Sequence, residues 1–415
     1  SKEIFEEGFR LPVMKLYREG EPNEDLFRII RLNVRVPDIV IGDLQAQLAS
    51  NTIMQRRLIE FMEANKLSDL DDLFAAVWER SDRAMQLGVD EIPSGTYYGE
   101  VETDGFHSPL TLRCALTVGN NEMHLDCSGS SAQDEHGINC TGRYAGAEAA
   151  MACICVARPS SPITGATLKR IRFSAPAGSI INATYPAALG GRALVSMYMQ
   201  ALVFRTLANA VPDRVIADAG TPPHLSAYMG LGNSGRRFVD IMFLNGGLGA
   251  RPQADGVSSL GWPANIAGIQ AEVTENEKPL LFLKKELAPD SGGAGRQRGG
   301  LSQIMTVRSV AQTPITLGVR LDRTEHPALG LEGGKPGAVA EVSINGVAIH
   351  PKTSVSLAPG DLFSVRCPGG AGYGVPHERD AAAVARDVRN GYVSSDVARD
   401  VYGVALEHNA EMVDD

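Results

Sequence analysis

The chain has 415 residues, 39 Lys+Arg against 49 Asp+Glu for a net charge of −10, and 44% hydrophobic residues. The acidic surplus argues against a nucleic-acid binder, whose sequence-independent affinity comes from cations neutralising phosphates, and the apolar fraction is enough to bury substantial cores, so a globular chain is expected. No apolar run reaches the roughly 18 residues of a spanning helix, and the first 30 residues are rich in charge, so a soluble, cytoplasmic protein without a signal peptide is expected.

In chain order, residues 1–92 read as a helical region. Leu44, Leu48, Leu58, Phe61 and Met62 share a stripe between Asp43 and Met62. Leu70, Leu73, Phe74, Val77 and Trp78 repeat at three and four after Asp69, a suitable N-cap, so two packed helices are expected. The chain opens with Ser1, which reads as the product of Met removal or of cleavage from a longer precursor. As an autocatalytic nucleophile it would have no recognisable base nearby.

Residues 93–278 read as a mixed α+β region. Strands are expected at Thr96–Thr103, Leu110–Val118 and Glu122–Cys127, the last two joined by the Gly119-Asn120-Asn121 turn. Helices follow at Ala145–Ala157 and Ala193–Ala210, and strands at Leu168–Phe173 and Phe238–Leu244. Residues 279–376 form a β-rich region with strands at Leu280–Leu287, Ser302–Arg308, Ile315–Val319, Ala338–Ile344 and Leu362–Val365. Residues 377–415 hold a helical end, Glu378–Val404, and an acidic tail, Glu407–Asp415. The fold class is therefore α+β, with a helical N-terminal region, a mixed middle, and a β-rich C-terminal part closed by short helices.

Several motifs have structural readings. Gly230-Leu231-Gly232-Asn233-Ser234-Gly235 matches GxGxxG, but a strand follows it where a dinucleotide site needs a helix, so a hairpin turn is expected. GxxxxGK[ST], GxSxG and HExxH are absent. The eight histidines are dispersed without ligand spacing, and Cys153 and Cys155 sit in an Ala-rich helix as small core side chains. Six cysteines without a CxxC pair fit reduced thiols.

Glycine carries the more specific signal. The loop Pro289–Gly300 can point several N–H groups into one concavity, with Arg296 and Arg298 beside it to bind a carboxylate or phosphoryl group. The alternative is a structural loop in which Asp290 pairs with one of those arginines. Gly246–Gly256, containing Arg251, and Pro368–Gly374 have the same ingredients, so ordered turns lining a site or a subunit interface are expected.

Taken in order, these segments resemble the hydantoinase B/oxoprolinase family. The similarity runs from Glu7-Gly8 through Asn33-Val34-Arg35 and Gly42-Asp43-Leu44 to Gly129-Ser130-Ser131, Gly249-Ala250-Arg251, Pro289–Gly300 and Pro368–Asp380. The resemblance implies an ATP-dependent ring-opening cyclic amidase of hydantoin, oxoproline or lactam type. A hydantoinase A-like partner binds ATP and phosphorylates the substrate, and this chain acts on the intermediate. It further implies that the Asp and His ligands of a divalent metal lie in a segment preceding the part that matches Ser1. No metal ligand is then assigned to this chain, and a companion N-terminal fragment is expected.

Arg296, Arg298, Asp290 and Arg251 are the expected substrate or phosphate ligands, and Asn33, Arg35 and Asp43 the residues expected to order the loop around the site. A structural pairing of Asp43 with Arg35 is the alternative for that pair. Where many hydrolytic members carry Gly-Asn-Val-Glu-Thr-Ser, this chain has Gly191-Arg192-Ala193-Leu194-Val195-Ser196, which keeps two other readings open: an ATP-dependent ketone carboxylase component and a non-catalytic scaffold.

Overall fold

A computed structural model describes residues 1–232 and 235–405. The expected acidic tail and two residues of the GxGxxG turn lie outside these. No described helix is long and apolar enough to cross a membrane.

The chain begins with a small ribbon, β1 (Tyr17–Arg18) and β2 (Glu21–Pro22), and helices α1 (Glu24–Asn33), α2 (Pro37–Ala64) and α3 (Asp71–Asp90). The two expected helices are present, but they do not share one core. Ile41 of α2 packs with Leu26, Phe27 and Ile30 of α1, whereas α3 buries Met85 and Val89 in the core of the next sheet. The cause lies in the pattern: α2 is apolar on several sides, while only the C-terminal half of α3 presents a stripe to the core.

The first sheet has the order β3 (Gly95–Thr103), β4 (Leu110–Gly119), β5 (Glu122–Asp126) and β6 (Ile171–Ser174), with β5 and β6 parallel and the other pairs antiparallel. Strict alternation along β4 sends Leu110, Leu112, Cys114, Leu116 and Val118 inward. Asn120 and Asn121 turn the β4–β5 hairpin with φ of 52° and 62°, the left-handed pair that a two-residue loop needs. Helices α4 (Gly142–Ala157) and α7 (Tyr198–Leu207) cover the inner face. Between them lie α5 (Gly165–Lys169) and α6 (Ala193–Ser196). Leu168 is therefore helical and not part of a strand, because Thr164 and Thr167 form a capping box that starts α5.

The later part is a β-sandwich. One sheet has the order β14 (Lys352–Leu357), β11 (Ile315–Arg320), β7 (His224–Leu231), β8 (Arg237–Leu244). The other runs β13 (Val347–Ala348), β12 (Glu341–Ile344), β15 (Leu362–Arg366), β10 (Gln303–Ser309), β9 (Leu280–Leu287), with α8 (Ala271–Glu277) before β9. Tyr228, Met242, Leu317 and Val319 face Met305, Val307, Phe363 and Val365 in one shared core. Gly230 and Leu231, the first residues of the GxGxxG segment, lie in β7, which pairs antiparallel with β8, so a strand and not a helix follows the segment. Helices α9 (Ala381–Arg389) and α10 (Ser395–Asp400) close the chain.

A glycine-dense layer adjoins the sandwich. Its extended segments hydrogen-bond in three dimensions: Ala217 N to Ala250 O (3.0 Å), Ala250 N to Ala371 O (2.8 Å), Ala371 N to Asp218 O (2.9 Å), Gly300 N to Leu248 O (2.8 Å) and Gly370 N to Gly300 O (3.0 Å). Backbones approach this closely because the Cβ is missing. At Gly369 an added Cβ would lie 1.6 Å from Ser291 O.

His224 is wholly buried beside Phe363, and burial pushes its pKa down to about 3. The unfolded chain, with the ordinary value near 6.5, takes up this proton first. Stability is therefore full above about pH 6.5 and falls as pH drops toward 3. In His224→Gln the stability–pH slope between pH 6 and 4 should flatten by up to about one proton, read from urea midpoints across that range.

Candidate functional site

Asp255 and Asp387 hold Arg379 from two sides. Arg379 Nη1 and Nη2 donate to the two Asp255 oxygens at 2.7 Å each, and Nη2 also to Asp387 Oδ2 at 2.7 Å. Arg298, one of the expected phosphate ligands, completes this network: Nε donates to Asp387 Oδ2 (3.2 Å), Nη1 to Gly299 O (2.7 Å), and its guanidinium lies 5.4 Å from the Tyr392 ring centroid. Arg298 is 4% exposed, so its charge faces Asp387 and not solvent. Burial alone would raise the pKa of Asp255, but the Arg379 guanidinium and the Arg298 N–H outweigh it and hold the carboxyl low.

The other expected residues are spread out. Asp290, at φ 57°, accepts from Ser394 N (2.8 Å) and ties the glycine loop to the start of α10, so it pairs with neither loop arginine. Arg296 is exposed, with Glu378 3.9 Å away, and Arg251 is exposed with Nη2 3.5 Å from Asp255 O. Asn33 Nδ2 closes its own helix on Ile29 O (2.8 Å). Arg35 and Asp43 are not buried, and among the described residues they make no ion pair with each other.

The structure builds a different concavity, at the Gly190-Gly191-Arg192 turn. This cleft of about 300 Å³ has Leu194, Met197, Pro222, Phe243 and Ile266 among its apolar walls and Tyr144, Arg192 and Arg320 as its polar groups. Arg320, at the end of β11, donates from Nη1 to Gly190 O (2.8 Å), and the Arg192 guanidinium stacks 5.0 Å from the Tyr144 ring centroid. Behind Tyr144, burial lifts the Glu148 carboxyl above its ordinary range, opposed by hydrogen bonds from Gln200 (Nε2 to Oε2, 2.6 Å) and Tyr144.

Glu7 fixes the turn from outside. Its Oε2 accepts from Leu189 N (2.8 Å), and its Oε1 from Gly190 N and from Ser1 Oγ (2.7 Å). Burial works against this carboxylate's charge, but the Leu189 N–H, the Ser1 hydroxyl and the Gly190 N–H prevail and lower its pKa. Arg192 is legible in the sequence as a departure from the family pattern. Glu7 acts across 182 residues and Arg320 across 130, beyond any spacing rule.

The histidines, scattered in sequence, partly converge in space. His136 stacks on Phe106 at 3.9 Å, with His107 at 4.8 Å from His136 and His350 at 5.4 Å from Phe106. His350 already accepts from Lys352 N (3.1 Å) and sits 3.3 Å from Phe106 O, and His136 is paired with Asp134 at 2.8 Å. Among the described residues no group of three or more His, Cys, Asp or Glu is placed to hold a metal ion. The divalent metal of the family resemblance finds no ligand set among this chain's described side chains.

The model of the Hydantoinase B/oxoprolinase family matches residues 1–376, and the chain belongs to that family. The beta subunit of the Pseudomonas jessenii caprolactamase is 28% identical over 99% of this chain and 74% of its own length. The crystal structure of the ATP-dependent caprolactamase from the same organism superposes with a TM-score of 0.87 at 25% identity, covering 99% of this chain and 74% of that one. The B component of a putative D-/L-hydantoinase of Pseudomonas sp. (strain NS671) is 25% identical over 99% of this chain and 72% of its own length. The acetophenone carboxylase delta subunit of Aromatoleum aromaticum is 24% identical over 99% and 67%.

Proposed function

We propose that this chain is the hydantoinase B-like component of an ATP-dependent enzyme that opens cyclic amides, acting on a phosphorylated intermediate made by a hydantoinase A-like partner. The observation that carries this reading is the cleft at the Gly190–Arg192 turn, which joins apolar walls to two guanidiniums. Its volume is at the small end of the roughly 300–1,000 Å³ of ligand pockets, a size suited to a single small ring. Similarity to components of a caprolactamase and a hydantoinase supports the same reading. A cytoplasmic location, with ATP at hand and six free thiols, and a companion segment carrying the metal belong to this proposal.

Amide resonance makes the ring carbonyl a poor electrophile. Transfer of the γ-phosphoryl group of ATP to the amide oxygen draws electrons from the ring carbon. Water then adds to that carbon, the C–N bond breaks with the nitrogen leaving as amine, and a second water releases phosphate. One ATP and two waters thus give the opened amino acid, ADP and phosphate. In this chain the walls formed by Leu194, Met197 and Phe243 hold the ring body and keep bulk water off it. Arg192 and Arg320 hold the phosphoryl oxygens, with Tyr144 keeping the Arg192 plane in place.

Replacing either arginine should uncouple the two halves of the reaction. With Arg192→Ala or Arg320→Ala in the assembled enzyme, ring-opened product per phosphate released should fall about tenfold or more, one charge-assisted contact being worth about 1.5–3 kcal/mol. ATP hydrolysis itself should change much less. Arg296→Ala is the comparison: if it alone lowers the ratio, the anion is held at the glycine layer and not in the cleft. The second reading, ketone carboxylation, is favoured by the acetophenone carboxylase relative. The same cleft would then hold an enol phosphate.

A further inference from the structure

Ring opening needs a proton as well as a phosphoryl group. When the C–N bond breaks, its electron pair stays on nitrogen, and an amine expelled without a proton is a poor leaving group. The phosphorylated oxygen and the departing nitrogen sit on the same carbon, so whatever holds the phosphoryl group lies close to the atom that must be protonated. Arg192 and Arg320 hold that group in the cleft, and among the described residues of its wall Tyr144 is the one other polar side chain. A guanidinium does not give up a proton in a protein, which leaves the Tyr144 hydroxyl as the donor.

Tyr144 is backed by a carboxyl without a cation. Glu148 follows it by one turn of α4, the i,i+4 spacing that stacks two side chains on one helix face. Among the described residues Glu148 forms no ion pair. Gln200, 1% exposed on α7, donates from Nε2 to Glu148 Oε2 (2.6 Å), which leaves Oε1 to carry a proton. Burial lifts this carboxyl above its ordinary range, against the pull of Gln200 and Tyr144. The groups around it do not compete for the titration. Burial pushes the Cys140 thiol up to about 12 and, together with the Glu148 charge, raises the Tyr144 hydroxyl; the Arg192 guanidinium keeps its charge, and Gln200 has none.

We propose that Tyr144 is the acid that protonates the departing ring nitrogen, and that Glu148 behind it resupplies the proton. This role rests on the cyclic-amide reading above, since carboxylation of a ketone breaks no C–N bond. As the C–N electron pair moves onto nitrogen, the Tyr144 O–H proton passes to that nitrogen and the Glu148 Oε1 proton to the Tyr144 oxygen. Glu148 is left as a carboxylate and takes its next proton from solvent, which balances the one lost by the attacking water. Tyr144 is then a catalytic residue, and Glu148 acts through it. The Arg192 guanidinium, stacked 5.0 Å from the Tyr144 ring centroid, keeps phosphoryl group and hydroxyl at one carbon.

The test uses the native assembly, with caprolactam, oxoproline and hydantoin as probes and with phosphate and opened product followed across pH. In the parent, kcat for ring opening should fall on the alkaline side as Glu148 loses its proton. Tyr144→Phe keeps the ring against Arg192 and should open rings about a hundredfold more slowly, with KM nearly unchanged and phosphate release affected much less. Glu148→Gln should work at a lowered rate without the alkaline limb, whereas Arg192→Ala should keep that limb. Parent-like ring opening in Tyr144→Phe, or an equal loss of phosphate release and ring opening, would overturn the proposal and leave the cyclic-amide reading in place. An alkaline limb retained in Glu148→Gln would do the same, and it decides the matter even where Tyr144→Phe does not fold. A parent whose phosphate release requires a ketone and bicarbonate would overturn both.

Discussion

Gly247→Ala should yield no soluble folded protein. A Cβ at this position would stand 1.7 Å from Gly300 O, 2.3 Å from Gly300 C and 2.6 Å from Gly370 N. All three are backbone atoms, so no rotamer change relieves the clash. Gly247 N donates to Pro368 O and Gly300 N to Leu248 O, so moving either segment breaks the hydrogen bonds that hold the layer together. Ordinary overpacking costs about 1–3 kcal/mol where side chains can shift; here several buried backbone pairs fail together, a loss comparable to the whole ~5–15 kcal/mol of a folded domain. Gly42→Ala is the control. Gly42 lies in α2 with nothing within 4 Å of the added carbon, and the change should leave the fold intact and stabilise it by up to about 1 kcal/mol. Soluble yield and thermal melting of the two variants decide the matter.

Arg379→Met should destabilise the chain by about 3–5 kcal/mol, because it leaves two carboxylates facing one another without their shared cation. The Arg379 and Asp387 side chains are 3% and 5% exposed, so water cannot replace the lost guanidinium, and Asp387 keeps only the longer contact from Arg298 Nε at 3.2 Å. Asp255, at 29%, keeps some solvent and the Arg298 N–H and should lose less. The double variant Arg379→Met with Asp255→Asn should recover part of the loss, since it removes one of the two facing carboxylates while Asp387 keeps its pairing with Arg298. Guanidinium unfolding midpoints of the single and double variants measure this. A single variant as stable as the parent would show that the network does not hold α9 to the glycine layer.

Local pattern makes much of the fold legible. Strand β9 is bounded by Pro279 on one side and by Pro289 and its glycines on the other, and the β4–β5 hairpin is marked by its Asn pair. Strands β7 and β14 escape such a reading for physical reasons. Pro222 and Pro223 and an internal glycine disguise the first, and Lys-Thr-Ser-Val-Ser-Leu, with two apolar residues, leaves little hydrophobic signal in the second. Ala193–Ala210 reads as one helix, whereas the structure divides it at Met197 between α6 and α7.

The candidate site is less legible because its contacts are long-range. Glycine density marks the layer, but whether Arg298 faces solvent depends on Asp387, 89 residues away. The cleft joins residues of α4, the Gly190 turn, β7, β8 and β11, and only Arg192 stands out in the sequence, through its difference from the family pattern.

The central claim is ring opening at the expense of ATP, and phosphate release by the native, co-purified assembly tests it most directly. Cyclic amides and ketones are supplied in parallel, each with and without bicarbonate. Phosphate release stimulated by a cyclic amide without bicarbonate, with the opened amino acid accumulating alongside, is the predicted result. Stimulation that requires a ketone together with bicarbonate would contradict it and establish the carboxylase reading in its place.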